Sequence, residues 1–304
     1  MEFVLNDGNK IPAIAFGPGG AGYSPKVRLR ERGFIENFCY RVYNKLYGRP
    51  HLYKNYVNAV GQAFVTGFRL LDYSASYGNG ELIIKAMCKA GLQRSNLFIT
   101  SRVSNRAQRE HKVREEFFVM LESFKTDYVD LLQFHWPVTD LYLDTWKEIV
   151  KLQKDGYVKS IGVANCHQHH LDAIIKAEGV VPAVDQVEVH PLFTNKEIIE
   201  YCKEKGIRVE AYSPLARFDD RLFRLPVLKN IAKNYNKTIA QVILRWDIQN
   251  GQIPIVRSFN SARQQEDFDI FDFKLTQDEI AKIDAININA RVRYDPDNCD
   301  FSIL

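Results

Sequence analysis

Eight short apolar segments rich in β-branched residues recur along the chain, and this alternation limits the possible folds more than any other feature. Several of them are almost continuously hydrophobic, which is typical of parallel strands covered on both faces. Amphipathic stretches such as Asp144–Lys154 and Glu197–Lys205 lie between them. The pattern predicts an α/β fold, a closed (β/α)8 TIM barrel, rather than an open sheet. The predicted strands are Ile14–Phe16, Phe68–Asp72, Leu97–Arg102, Asp130–His135, Ser160–Ala164, Val184–Val189, Arg208–Tyr212 and Ile253–Val256.

The segments that flank the first strand predict two additions to the barrel. The opening VLNDGNKIP, with Asp7-Gly8 at its turn, predicts a β-hairpin that closes the barrel bottom. No low-complexity linker interrupts the alternation, so residues 1–304 are predicted to form a single domain. A basic and aromatic insertion at about residues 18–53 does not fit the alternation. We interpret it as a solvated excursion, with a lid over the barrel mouth and a partner or nucleic-acid surface as alternatives.

Composition excludes several classes of protein. With 46% hydrophobic and 26% charged residues the chain can bury a sizeable core. A net charge of +4 is too small to predict a nucleic-acid partner, although it allows a local patch for an anionic ligand. Five scattered cysteines without a CxxC pair predict reduced thiols. The acidic N-terminus and the lack of a long apolar run predict a cytoplasmic protein without a membrane span. We expect either a monomer or a dimer.

One glycine-rich segment matches the spelling of a dinucleotide-binding loop. Gly17–Gly22 reads GxGxxG, but that motif binds a pyrophosphate only when its third glycine opens a helix. Here Tyr23-Ser24-Pro25 follows, and no helix signal begins. We therefore interpret the segment as a loop at the barrel mouth.

Four polar residues lie at or just after the ends of three consecutive predicted strands, where barrels of this kind carry their active sites. They are Asp72, Tyr77, Arg102 and His135. Alone, each has a structural explanation, such as a helix cap for Asp72 or a packing role for Tyr77. Together they favour a proton-donating site.

Hydride added to a carbonyl carbon leaves charge on the oxygen, and a positioned proton donor contributes roughly 10²–10⁴-fold to the rate. A phenol has an ordinary pKa of about 10, and a neighbouring cation stabilises its phenolate form.

The residues around these positions resemble the aldo-keto reductase family. GFRLLDYSASYGNGELI is similar to the family signature that contains the catalytic aspartate and tyrosine. LFITSRV, YVDLLQFHWP, VKSIGVANC, VDQVEVHPL, VEAYSPL and IPIVRSFNSARQQED resemble further family blocks in the same order. The resemblance covers almost the whole chain except residues 18–53, and it implies an NADPH-dependent oxidoreductase of small carbonyl compounds or alcohols.

The resemblance also implies roles for individual residues. The catalytic tetrad falls on Asp72, Tyr77, Arg102 and His135, with Tyr77 as the general acid or base. NADPH is preferred over NADH because guanidiniums suit the 2′-phosphate. The implied cofactor-binding residues are Asn165 and Gln186 at the carboxamide, Tyr212 on the nicotinamide ring, Ser213 and Leu215 along the pyrophosphate, Arg257, Ser258 and Arg263 at the 2′-phosphate, and Glu266 and Asp267 near the adenine.

Several positions depart from the family pattern. Arg102 stands where a lysine is usual, and a planar guanidinium is not equivalent to an ammonium at a shaped site. Ala164 replaces a serine, which removes a hydrogen bond of about 1 kcal/mol. Pro18 and Gly19 replace a Thr-Trp pair that walls the substrate pocket, and Asp267 replaces an asparagine.

Two other functions compete with a carbonyl reductase. Arg102 and Ala164 favour an NADPH-binding protein with weak or no turnover that acts as a sensor or partner subunit. His167, His169 and His170 beside Cys166 suggest a metal hydrolase. No carboxylate is spaced in the sequence to complete such a site, so no metal is predicted.

Overall fold

The computed structural model of the protein describes residues 1–20 and 49–301, with the side chains of the first helix from Tyr53 onward. Its strands are β1 Glu2–Val4, β2 Lys10–Pro12, β3 Ala15–Phe16, β4 Leu70–Asp72, β5 Phe98–Val103, β6 Val129–Phe134, β7 Val158–Ala164, β8 Val184–Glu188, β9 Arg208–Tyr212 and β10 Ile253–Val256. From β3 to β10 the strands are parallel and form a closed barrel, in which β3 pairs with both β4 and β10. The predicted (β/α)8 barrel is confirmed.

Helices connect the barrel strands and cover their outer faces, because parallel neighbours require a crossover. Large side chains such as Trp146 and Trp246 are fully buried in the layer between strands and helices. The helices of the described residues are α1 Arg49–Thr66, α2 Gly80–Lys89, α3 Asn105–Arg109, α4 Val113–Phe124, α5 Tyr142–Lys154, α6 Gln168–Glu178, α7 Lys196–Glu204, α8 Asp220–Phe223, α9 Pro226–Tyr235, α10 Ile239–Gln249, α11 Ser261–Phe268 and α12 Gln277–Asp284.

Most of the predicted strand boundaries differ from the observed ones by one or two residues, at both ends of the barrel. β9 and β10 have the predicted limits. β5 extends to Val103, so Arg102 lies inside the strand, because Val103 still pairs with Phe134 of β6. His135 lies just after β6 instead of within it. Its N–H donates to the Val103 carbonyl at 3.1 Å, and the chain then turns away from the barrel.

The N-terminal hairpin closes the barrel bottom as predicted. β1 and β2 pair antiparallel, and Gly8 in the connecting turn has a φ of 86°, a conformation that favours glycine. Leu5 and Ile11 are buried among apolar side chains of the barrel interior. Asn9 Nδ2 donates to Ser160 Oγ at 3.0 Å, near the start of β7. The hairpin therefore fills the end of the barrel opposite the strand C-termini.

Part of the chain named in the sequence predictions falls outside the described residues. This applies to residues 21–48 of the predicted insertion, to Cys39, and to the last two residues of Gly17–Gly22. Residues 17–20 have irregular backbone, and helix α1 begins at Arg49, inside the last part of the predicted insertion. The cysteines of the described residues are unpaired, namely Cys88, Cys166, Cys202 and Cys299. Within the same residues, no helix has the length and apolar character needed to cross a membrane.

Candidate active site

A buried ion pair lies at the C-terminal end of the barrel. Asp72 ends β4, and Arg102 lies near the end of the neighbouring strand β5. The Arg102 guanidinium donates to both Asp72 oxygens, with Nη2–Oδ2 at 3.0 Å and a second bond from Nη1 to Oδ1. Both side chains are buried. Burial by itself lowers the pKa of Arg102, but the Asp72 carboxylate raises it by more. The pKa of Arg102 therefore lies above its usual range. The site thus has a permanent cation.

Gln186 connects this pair to two side chains that we did not predict. Its Nε2 donates to Asp72 Oδ1 and to Glu210 Oε2, both at 2.9 Å, and its Oε1 accepts from Arg102 Nη1 at 3.0 Å. Glu210 Oε2 also accepts from Gln133 Nε2 at 3.1 Å. The available signal was a polar residue within each buried strand, Gln133 in VDLLQF and Glu210 in RVEAY.

Tyr77 follows Asp72 and His135 follows Arg102 in the sequence, and both side chains are partly exposed. Tyr77 ends a 3₁₀ turn, Ala75–Tyr77, just after β4, and its ring packs edge-on against Tyr73 with centroids 5.6 Å apart. The Tyr77 phenol interacts electrostatically with Arg102. Burial, followed by the charge of Arg102, lowers the pKa of His135 to about 3. His135 is therefore neutral near pH 7.

Two of the predicted cofactor-binding residues contact each other directly. The Tyr212 hydroxyl donates to Asn165 Oδ1 at 2.7 Å, and Asn165 Nδ2 donates to the His135 carbonyl at 2.9 Å. Asn165 has a φ of 60°, a conformation that asparagine tolerates better than most residues. Asn165, Tyr212 and His135 are thereby connected at the ends of β7, β9 and β6.

The remaining predicted cofactor-binding residues surround one cavity of about 550 Å³ beside the loop after β9. Burial, followed by the Glu266 charge, raises the pKa of Asp267 to about 7. Arg217 and Phe218 also line the cavity and were not predicted. Their loop has positive φ at Ala216, Arg217 and Phe218 in succession, which is strained for residues other than glycine. The predicted residues at the cavity are Ser213, Leu215, Arg257, Ser258, Arg263, Glu266 and Asp267.

The segment where the family has a Thr-Trp pair packs against one of these arginines. Gly19 has a φ of 61°, and a Cβ built on it would lie 2.7 Å from the Arg257 guanidinium carbon. The Gly19 carbonyl accepts from the Tyr56 hydroxyl at 3.0 Å and from Asn79 Nδ2 at 3.1 Å. A side chain at position 19 would therefore displace Arg257.

The C-terminal segment forms another side of the barrel mouth. Glu188, buried at the end of β8, accepts from the backbone N–H groups of Val292 at 2.6 Å and Arg293 at 2.9 Å. The half-buried Arg293 also lowers the pKa of His135, after the larger effects of burial and Arg102. The Phe301 and Trp136 rings lie 6.4 Å apart, which brings the segment across to the loop after β6.

The three histidines of the metal hypothesis do have a carboxylate neighbour, contrary to our prediction. Asp297 lies 2.6 Å from His167 Nδ1 and 3.2 Å from His169 Nε2, because the C-terminal segment crosses the start of α6. His170 Nδ1, however, accepts from the His167 backbone N–H at 3.1 Å, so the proton of a neutral His170 ring is on Nε2. That nitrogen faces Asp297 and has no free lone pair for a metal. Asp297 thus connects the C-terminal segment to the histidines at the start of α6.

Comparison with known proteins gives a family match over most of the chain. The model of the aldo/keto reductase family matches residues 50–288. The chain is 45% identical to the oxidoreductase YtbE of Bacillus subtilis over 249 residues, which are 81% of this chain and 88% of that protein. It is 43% identical to the glyoxal reductase of the same bacterium over 243 residues, 80% of this chain and 87% of that protein.

Solved structures are similar over nearly the whole chain. An aldo/keto reductase from Brucella melitensis has 34% identity and a TM-score of 0.80, covering 94% of this chain and 99% of that one. The Bombyx mori aldo-keto reductase in complex with NADP has 28% identity and a TM-score of 0.81, covering 98% and 96%. Sequence blocks, barrel and relatives agree, and the chain belongs to the aldo/keto reductase family.

Proposed function

We propose that this protein transfers a hydride between NADPH and a small aldehyde, ketone or corresponding alcohol, with Tyr77 as the general acid and base. The observation that carries the proposal is the buried Arg102–Asp72 ion pair, whose cation interacts with the Tyr77 phenol. The relatives named glyoxal reductase and methylglyoxal reductase favour small carbonyl substrates.

The proton is handled by residues at the barrel mouth. In the reductive direction the Tyr77 phenol donates its proton to the carbonyl oxygen while a hydride adds to the carbonyl carbon, which yields the alcohol. The charge left on the Tyr77 oxygen is stabilised by Arg102, and Asp72 holds Arg102 in place. His135 is neutral, so it orients the carbonyl by a hydrogen bond and adds no second cation.

The cavity beside the β9 loop suits a phosphorylated dinucleotide. Three guanidiniums, from Arg217, Arg257 and Arg263, line it and complement phosphate oxygens. Asn165 and Tyr212 lie between this cavity and the ion pair in the order of the barrel strands, where the nicotinamide end would be held. When bound, the nicotinamide supplies or accepts the hydride.

Replacing Tyr77 by phenylalanine tests the proposal. NADPH-dependent reduction of glyoxal and methylglyoxal should lose roughly 10²–10⁴-fold in kcat, because the proton donor is removed. The Kd for NADPH, measured by protein fluorescence, should be unchanged. Tyr73→Phe is the matched control, since Tyr73 packs on Tyr77 but its hydroxyl accepts from the Asn79 N–H at 3.3 Å. Equal activity of Tyr77→Phe and wild-type protein would refute the assignment.

A second candidate function is an NADPH-binding family member with little or no turnover. The favouring observation is that the Arg102 guanidinium donates to Asp72 and Gln186, which leaves it less free than an ammonium to approach a substrate. Tight NADPH binding without turnover in the wild type, and turnover in Arg102→Lys, would establish this alternative. Rapid wild-type turnover would exclude it.

A further inference from the structure

Two polar side chains inside the barrel have no role in the proposed proton transfer. Glu210 on β9 and Gln133 on β6 are fully buried and are hydrogen-bonded to each other at 3.1 Å. Glu210 Oε1 and Gln133 Oε1 have no hydrogen-bond partner among the described residues. Buried polar groups are costly, and unpartnered ones more so. Because this pair costs folding free energy, we expect it to have a functional role.

The neighbouring strand leaves room for this pair. Gly162 on β7 lies beside Gln133 in the strand register. A Cβ on Gly162 would be 3.3 Å from Gln133 Cγ and 2.6 Å from the Val184 carbonyl oxygen. The absence of a side chain at position 162 therefore lets Gln133 cross the barrel towards Glu210.

Glu210 determines how the Gln186 amide is oriented. An amide nitrogen has two hydrogens, and Gln186 donates both, one to Asp72 and one to Glu210. Its oxygen accepts from Arg102. The reversed amide would place N–H groups against the guanidinium and oxygen against two carboxyl groups. Glu210 thus stabilises the one orientation in which Gln186 braces the Asp72–Arg102 pair.

We propose that Glu210, supported by Gln133, is a positioning residue for hydride transfer that acts through Gln186 on the Asp72–Arg102 pair and so on the charge that Tyr77 experiences. This inference rests on the proposed function. Glu210 is fully buried, and its effect is transmitted by the hydrogen bonds described above.

The protonation state of Glu210 gives the proposal a measurable signature. Burial, followed by the Asp72 charge, raises the pKa of Glu210 to about 7, against the lowering effects of Gln186, Arg102 and Gln133. Asp185 on β8 is a further titratable group that interacts electrostatically with Glu210, and burial raises its own pKa well above the usual range. Below this pKa Glu210 is neutral and Asp72 alone balances Arg102. Above it, a second negative charge opposes the build-up of negative charge on the Tyr77 oxygen during reduction.

The test is the pH profile of kcat for carbonyl reduction in wild type, Glu210→Gln and Gln133→Leu. We expect wild-type kcat to fall by at least roughly threefold as pH rises through about 7, since even a unit charge about 20 Å away has an effect of that order at an effective dielectric constant of about 20. Glu210→Gln, which stays neutral, should lose this inflection. Gln133→Leu should move it to higher pH, because it removes a hydrogen bond that favours the charged carboxylate.

Val209→Ala serves as the control. Val209 is buried on the same strand but packs among the helix-facing residues. It should lower stability without moving the inflection. A wild type without turnover on any carbonyl would overturn the proposed function and this inference together. Turnover with the same pH profile in wild type and Glu210→Gln would overturn only the role of Glu210.

Discussion

Replacing Arg102 by lysine tests how much the guanidinium contributes in this barrel. An ammonium can keep one contact with Asp72 but cannot reproduce the Nη2–Oδ2 bond and the Nη1–Gln186 bond, both 3.0 Å long. Charge-assisted hydrogen bonds contribute about 1.5–3 kcal/mol each, so two of them amount to roughly 3–6 kcal/mol. Because the charge is retained and the site relaxes, we expect the free energy of unfolding to fall by about 2–4 kcal/mol.

Urea denaturation followed by tryptophan fluorescence measures this change, since Trp146 and Trp246 are fully buried. The same variant should lower kcat with little effect on the Kd for NADPH, because Gln186 loses its donor. Arg94→Lys is the matched control. Arg94 pairs with Asp130 at 2.7 Å at the start of β6, away from the barrel mouth, so its replacement should lower stability but leave kcat unchanged. An Arg102→Lys protein with wild-type stability and wild-type kcat would refute the reasoning.

Two further predictions concern the cofactor cavity and the mouth histidine. Arg263→Ala should weaken NADPH binding by roughly 10–100-fold while NADH binding changes little, because one charge-assisted contact to the 2′-phosphate is lost. Fluorescence titrations measure both affinities, and equal losses for the two dinucleotides would contradict this prediction. His135 has a folded-state pKa lowered to about 3, below the unfolded value of about 6.5, so protonation favours the unfolded chain and stability is lost as pH falls below about 6.5. His135→Gln should therefore show a shallower loss of unfolding free energy between pH 6.5 and 4 in urea titrations, by up to about 1.4 kcal/mol per pH unit, and parallel curves would rule this out.

Much of the candidate site could be predicted because its residues are tied to strand ends. The carboxyl ends of parallel barrel strands meet at one mouth, so Asp72, Arg102 and His135 were expected together before their distances were known. Asp72 and Arg102 are indeed directly paired, and His135 is close enough to Arg102 for the charge to lower its pKa. The hydrogen-bond partners of each residue were not predicted. The alternation of inward and outward side chains along a strand does not say which of them meet across the barrel.

Two features show where prediction from this sequence ended. Gln133 and Glu210 are on strands three positions apart in the barrel order, and their contact depends on the stagger of the strands and on the space left by Gly162. Asp297 and His167 are 130 residues apart, and their contact depends on the path of the C-terminal segment across the mouth. Neither of these contacts can be predicted from a local pattern of residues.

By itself the sequence determined the alternation of strands and helices, the closing hairpin and the set of polar residues at the barrel mouth, because hydrophobic periodicity and turn chemistry act over a few residues. The tertiary structure alone decided that Arg102 is shared between Asp72 and Gln186, that Glu210 lies buried behind them, and that the C-terminal segment is fastened across the mouth. These contacts join distant strands, and their geometry follows from barrel closure and side-chain packing, which no local segment encodes.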